Sequence, residues 1–183
     1  MLVVIWDLNK QAQLKKIKSH KGKVQCVKWN PKEDGVMISA GFDKQVILHN
    51  VQQPKPLKLS IKNEVESLCW EPNEGKQFAV SDEEGIIEIY DARYMSEANK
   101  LATIKAHSKA ATNISYSISK PKQLISCSID GTVKQWDVSG EPKLVCEKKG
   151  DIGEIFGISI CPDIEDVIVA GGSNGELMIW ETD

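Results

Sequence analysis

The chain has 183 residues, 41% of them hydrophobic and 27% charged, with a formal net charge of −3. That is the balance of a globular domain large enough to bury a real core. It excludes a membrane-spanning helix, because no apolar run approaches the roughly 18–20 residues one needs. The five cysteines are Cys26, Cys69, Cys127, Cys146 and Cys161, never within four residues of one another, which excludes CxxC zinc or redox spacing. Their odd number and apolar settings fit free thiols in a reducing, intracellular compartment. The opening residues carry only a short apolar run before Asp7, which does not read as a signal peptide.

The first strand expected is Leu2–Asp7, ending in Val4-Ile5-Trp6-Asp7. The same ending returns as Ile87-Glu88-Ile89-Tyr90-Asp91, Val133-Lys134-Gln135-Trp136-Asp137 and Leu177-Met178-Ile179-Trp180-Glu181. A degenerate copy is Val46-Ile47-Leu48-His49-Asn50. The aromatic positions and His49 fall at 6, 49, 90, 136 and 180, in steps of 43, 41, 46 and 44. A second mark, Trp29, Trp70, Tyr116 and Ile160, steps by 41, 46 and 44. Two marks drifting together through unequal steps identify a repeat.

Each repeat holds four short strand-like runs. In the third they are Leu101–Lys105, Thr112–Ser117, Leu124–Ser128 and Val133–Asp137, separated by turn signals such as Ile129-Asp130-Gly131 and Lys120-Pro121. No window sustains a helical period. The repeats are expected at 1–7 (a remnant strand), 14–50, 57–91, 101–137 and 143–181, in one domain covering 1–183.

A four-stranded unit of about 40–45 residues closing on Trp-Asp resembles the WD40-repeat family across the whole chain. The resemblance implies an all-β WD40 β-propeller with about four blades present. Seven blades are usual in that family, so a partial seven-bladed ring is expected, with a genuine four-bladed ring as the rival. In that rival, Leu14–Lys18 would pair with Leu177–Trp180.

The resemblance also implies a structural tetrad of histidine, serine, aspartate and tryptophan. It carries over to His107, Ser126, Asp130 and Trp136, and in part to His20, Ser39 and Asp43, where His49 replaces the tryptophan. The second and fourth repeats have Val80 and Ala170 in place of the serine, and Glu84 and Asn174 in place of the aspartate. Their blades are therefore expected to rely on apolar packing and strand ladders, and to be the softer ones. A Ser-His-Asp set also suggests a hydrolase, but Ser126 has no G-x-S-x-G elbow, and the set recurs at one spacing in two repeats. No phosphate loop, metal cluster or paired catalytic carboxylates are evident, so no enzyme activity, cofactor, metal or small-molecule substrate is expected.

Charge is uneven. Residues 1–60 carry 11 lysines and 4 acids, and between Lys10 and Lys32 there are eight lysines and no acid. Lys15, Lys16, Lys18 and Lys21 are a candidate basic patch, either a solvated rim or a face for RNA or an acidic partner. The lack of arginine there, Arg93 being the only one in the chain, argues against specific nucleic-acid readout. The family's docking positions carry over to Lys23, Gln25, Phe42, Ala110, Thr112 and Ile129 as a candidate protein-binding face.

Gly41-Phe42-Asp43-Lys44, Ser81-Asp82-Glu83-Glu84-Gly85 with Tyr90-Asp91-Ala92-Arg93, and Ile160-Cys161-Pro162-Asp163 with Ala170-Gly171-Gly172 resemble one subfamily, that of periodic tryptophan protein 1. This resemblance implies a nuclear and nucleolar scaffold in ribosome biogenesis, rRNA processing or rDNA chromatin. Its partners would be pre-ribosomal or chromatin-associated proteins, with indirect or electrostatic RNA contact and no membrane. A scaffold of another machine, such as a ubiquitin-ligase receptor, histone-binding chaperone or vesicle-coat subunit, is the alternative.

Overall fold

A computed structural model describes residues 1–120, 122–161, 164 and 167–181. Pro121 of the expected Lys120-Pro121 turn, Pro162 and Asp163 of the Cys-Pro-Asp stretch, and the terminal Thr182 and Asp183 lie outside them.

Among the described residues, seventeen strands account for almost all of the regular structure, and one 3-10 turn at Glu97–Asn99 completes it. β1 (Val3–Asp7) and β2 (Ala12–Ile17) form a two-stranded hairpin. The next sheet contains β3 (Val24–Trp29), β4 (Val36–Gly41), β5 (Gln45–Asn50) and β6 (Leu57–Ser60). It is followed by β7 (Val65–Trp70), β8 (Gln77–Asp82), β9 (Ile86–Asp91) and β10 (Lys100–Lys105). A further four-stranded sheet holds β11 (Asn113–Tyr116), β12 (Gln123–Cys127), β13 (Thr132–Asp137) and β14 (Lys143–Lys149). The last sheet has three strands, β15 (Ile155–Ile160), β16 (Val167–Gly172) and β17 (Leu177–Glu181). All pairings are antiparallel meanders. These are successive blades of a propeller.

The first hairpin differs from the sequence expectation of Leu14–Lys18. Asp7 Oδ1 accepts from the N–H groups of Asn9 and Lys10 at 3.0 Å, which closes a tight turn. Pairing therefore resumes at Ala12, directly opposite Asp7.

In the three complete blades and the last one, the turn between the second and third strands needs a left-handed residue. Glycine supplies it at Gly85, Gly131 and Gly175, with φ of 78° to 82°, and Lys44 occupies the same place with φ 58°. An apolar layer lies between each complete blade and the next. Val36, Ile38, Ala40, Val46 and Leu59 pack against Val65, Leu68, Trp70, Phe78, Val80 and Tyr90. Cys69, Ala79, Ile87, Ile89 and Ile104 pack against Ile114, Tyr116, Leu124 and Trp136. Ile125, Cys127 and Val133 pack against Ile155, Ile168 and Ala170. Alternation along each strand feeds two such layers, one on each face, so a blade has no private core.

The innermost strands β3, β7, β11 and β15 line a shared groove of about 360 Å³. Trp29, Trp70, Tyr116 and Ile160, the second periodic mark of the sequence, all lie on its wall, each at the end of its strand.

Candidate docking face and its buried networks

The loop entering each inner strand meets the turn that follows the second strand, and buried hydrogen bonds fix where they meet. In the β11–β14 blade, Ser126 is fully buried between its neighbouring strands. Its Oγ lies 2.8 Å from His107 Nε2 and accepts from Trp136 Nε1 at 3.0 Å. The serine proton therefore goes to His107 Nε2, and His107 Nδ1–H points to Asp130 Oδ2 at 3.2 Å. Asp130 also accepts from the Ser108 N–H at 3.1 Å and the Thr132 hydroxyl at 2.7 Å. Burial pushes the Asp130 carboxyl up, but Thr132, the Ser108 N–H and the His107 imidazole outweigh it and hold it at about 2. Burial likewise depresses the His107 imidazole, against the pull of Asp130.

The β3–β6 blade repeats the arrangement. His20 Nε2 lies 2.8 Å from Ser39 Oγ, and His20 Nδ1 lies 2.9 Å from Asp43 Oδ1. The Lys21 N–H donates to Asp43 at 2.8 Å. His49 stands where the tryptophan would, its Nε2 3.0 Å from Ser39 Oγ. Burial first, then the positive surroundings of His20, Lys15 and Lys58, push His49 down to about 4. It is thus neutral near pH 7, and its Nε2–H donates to Ser39 as the indole does in the other blade.

The blades without the tetrad are not held by apolar packing alone. In β7–β10, Asp82 ends the second strand two residues before Glu84. Its Oδ1 accepts from the N–H groups of Glu84 and Ile86 at 3.0 and 2.8 Å, and its Oδ2 accepts from Asn63 Nδ2 at 2.8 Å. Asn63 stands 19 residues before Asp82, the spacing of histidine to serine elsewhere. Trp70, Phe78 and Tyr90 form an aromatic column with centroids 5.9 and 5.7 Å apart. Three of this blade's strands, β7, β8 and β9, are almost wholly buried, whereas β10 has three of its six residues exposed. In the last blade, Asn174 Nδ2 donates to the Asp151 carbonyl at 3.0 Å, over the same 23-residue span as His20 to Asp43. The 23-residue spacing was the signal in the sequence for Asn174, whereas Asn63 and Asp82 are both shifted by two residues from the positions the tetrad marks. Thr132 was missed because its position is not part of the tetrad.

The docking positions fall in two groups. On the β3–β6 blade, the Lys23 ammonium sits 4.8 Å from the centroid of the half-buried Phe42 ring, and Gln25 Nε2 donates to Glu66 Oε2 at 3.2 Å. On the β11–β14 blade, the Ile129 N–H donates to the Ala110 carbonyl. Thr112 is turned inward, and its hydroxyl donates to the Ile155 carbonyl at 2.6 Å, tying β11's entry to β15. Of the basic candidates, Lys15, Lys16, Lys18 and Lys21 are all exposed. Lys15 and Lys16 are neighbours in β2 and so project to opposite faces. Among the described residues no cluster of histidine, cysteine and carboxylate could hold a metal, and no helix is long and apolar enough to cross a membrane. The cysteines are unpaired, and burial pushes Cys26 and Cys69 to about 12 and Cys127 to about 11.

The pattern of the WD domain, G-beta repeat, matches residues 11–50 and 98–137. Each matched segment carries one of the two histidine–serine–aspartate networks. Both matched segments are WD40 repeats. It is similar to the Periodic tryptophan protein 1 homolog of Drosophila melanogaster, 26% identical over 93% of this chain and 38% of that protein. It is 30% identical to the DDB1- and CUL4-associated factor 13 of Xenopus laevis, over 80% of this chain and 33% of that one. With the Ribosome biogenesis protein WDR12 homolog of Trichoplax adhaerens it shares 25% identity over 90% of this chain and 38% of the relative. The chain thus spans between a third and two fifths of each of these relatives.

Proposed function

We propose that this chain belongs to a non-catalytic WD40 scaffold of ribosome biogenesis, acting in rRNA processing or on rDNA chromatin in the nucleus and nucleolus. One observation carries the scaffold reading. Both sets with the look of a hydrolase, His107, Ser126 and Asp130 and also His20, Ser39 and Asp43, are locked inside blades, with each serine hydroxyl engaged on both sides and fully buried. No substrate reaches such a hydroxyl. What the network does is hold the loops bearing the docking positions in fixed register. The ribosomal direction is supported by similarity over nine tenths of the chain to a protein named for ribosome biogenesis.

Within the candidate face, Lys23 and Phe42 offer a cation over an aromatic surface, and Ala110 and Ile129 add a small apolar surface. Thr112 contributes by bracing the blades, because its hydroxyl is already committed. RNA contact would be electrostatic, through Lys15, Lys16, Lys18 and Lys21.

The test is affinity purification of the full-length protein followed by mass spectrometry, with Phe42→Asp as the comparison. Pre-ribosomal proteins are expected, falling at least tenfold in the variant. A second reading, an adaptor of a ubiquitin ligase, is supported by the similarity to a DDB1- and CUL4-associated factor. Recovery of DDB1 and CUL4 without pre-ribosomal proteins would replace the first reading by the second.

A further inference from the structure

We propose that the pocket between β2 and the β5–β6 connection binds a phosphate monoester, the group carried by a phosphorylated serine or threonine of a partner protein.

The argument starts from a comparison of equivalent places in the fold. In the β1–β2 hairpin Ile5 pairs with Lys15, and Val3 with Ile17. In β9–β10 the corresponding pairs are Ile89 with Ala102 and Ile87 with Ile104. Each outer strand lies beside the next blade's third strand, whose aromatic position is His49 in one case and Trp136 in the other. At the later interface the Trp136 indole packs with Ile104 and Ala102 in an apolar layer. At the first interface both partners are changed: Lys15 stands where Ala102 does, and His49 where Trp136 does. An imidazole is smaller than an indole, and space is left beside it. That space is a cavity of about 70 Å³, lined by Lys15, His49, Asn50 and Gln53 among Ile17 and two prolines.

The lining is one-sided in charge. It contains a lysine and a histidine, amide groups from Asn50 and Gln53, and no carboxylate. Lys15 Nζ donates to the Val51 carbonyl at 3.0 Å, which fixes its ammonium at the pocket. His49 Nε2 is committed to Ser39, leaving Nδ1 as the ring nitrogen that can serve a ligand. The charged groups acting on His49 are His20, Lys15 and Lys58, all cationic or potentially so. Burial first, and these charges after it, disfavour a proton on His49 while the pocket holds no anion. A bound dianion would reverse the balance, so that His49 takes up a proton and donates through Nδ1. Anion binding and His49 protonation are then coupled, each favouring the other.

Size chooses the kind of phosphate. At roughly 10–15 Å³ per water, 70 Å³ holds about five to seven. That accommodates a terminal phosphoryl group and its oxygens. A nucleic-acid diester is flanked by two sugars and needs an open groove, which a recess between a strand and a proline-bearing loop does not provide.

The probe is a short glycine-flanked phosphoserine peptide, titrated into the full-length protein while the His49 ring resonances are followed by NMR. Its unphosphorylated twin and an oligouridylate are run alongside. The phosphopeptide is expected to bind and to move the His49 titration midpoint upward, whereas the twin does neither. Binding should fall at least tenfold in Lys15→Met, which keeps the stem without the charge. It should fall as far in His49→Trp, which fills the cavity and keeps a ring N–H donor to Ser39. Unchanged thermal midpoints in either variant show that folding is not the cause. The proposal fails if the His49 midpoint does not move, if Lys15→Met binds as well as the parent, or if the oligouridylate outcompetes the phosphopeptide.

Discussion

A single hydroxyl, that of Ser126, accepts from the Trp136 indole and donates to His107. Replacing Ser126 by alanine leaves both partners buried and unpaired, a loss of about 1–3 kcal/mol. A urea melt should show a lower midpoint at unchanged slope; a loss under about 0.5 kcal/mol would mean water takes the place of the hydroxyl. His49 predicts a pH dependence with a definite sign. Its folded value, about 4, lies below its ordinary 6.5, so the unfolded chain takes up the proton first. The stabilisation is complete above about 6.5 and is lost as pH falls towards 4. His49→Trp should flatten that stretch of a stability-against-pH curve, leaving the slope contributed by the likewise depressed His107. Asp130 acts in a lower window, its contribution present above 3.8 and lost as pH falls towards 2. Lys44 offers the opposite kind of change. Its φ of 58° is a conformation that three equivalent turns give to glycine, so Lys44→Gly should stabilise the protein by up to about 1 kcal/mol in the same melt.

Among the elements, β7–β10 teaches the most about reading such a chain. The tetrad was legible because residue types and spacing recur together: His107 to Ser126 and His20 to Ser39 are both 19 residues apart. Strand positions were legible for the same reason, through the aromatic endings. What the tetrad pattern hid in β7–β10 was a substitution shifted along the strand. Asp82 does the capping two residues ahead of the place where Glu84 answers to the aspartate, and Asn63 replaces a histidine that would sit two residues earlier. A side chain of another length satisfies the same turn from another register, and a residue-by-residue alignment passes over it. Packing does the rest of the work there. Phe78 is fully buried, edge-on to Trp70 and stacked on Tyr90. Phe78→Ala should cost about 3–5 kcal/mol, read by chemical denaturation, and more than the same truncation of the half-exposed Phe156 in β15.

At the level of the molecule, stability is a sum of layers between neighbouring sheets rather than one central core. β7–β10 and β11–β14 each have a buried apolar layer on both faces. β1–β2 and β17 carry exposed apolar side chains, Trp6 at 58% and Ile179 at 67%. Hydrogen exchange should therefore be slowest in β8, β9, β12 and β13 and fastest in β1, β2 and β17. Equal protection throughout would mean that the array opens only as a unit.

The offset between repeat and blade has a mechanical result. β6 is the first strand of the second repeat, yet it hydrogen-bonds to β5 and completes the sheet before it. The stretch 51–56 that joins them is exposed from Gln52 to Lys55. A protease site inserted between the exposed Gln52 and Gln53 would let the covalent chain be cut where the two pieces still share a sheet edge. The halves should stay clasped in native buffer and part only in denaturant. The seam between consecutive repeats thus behaves as a buckle, closed by strand pairing even when the strap through it is cut.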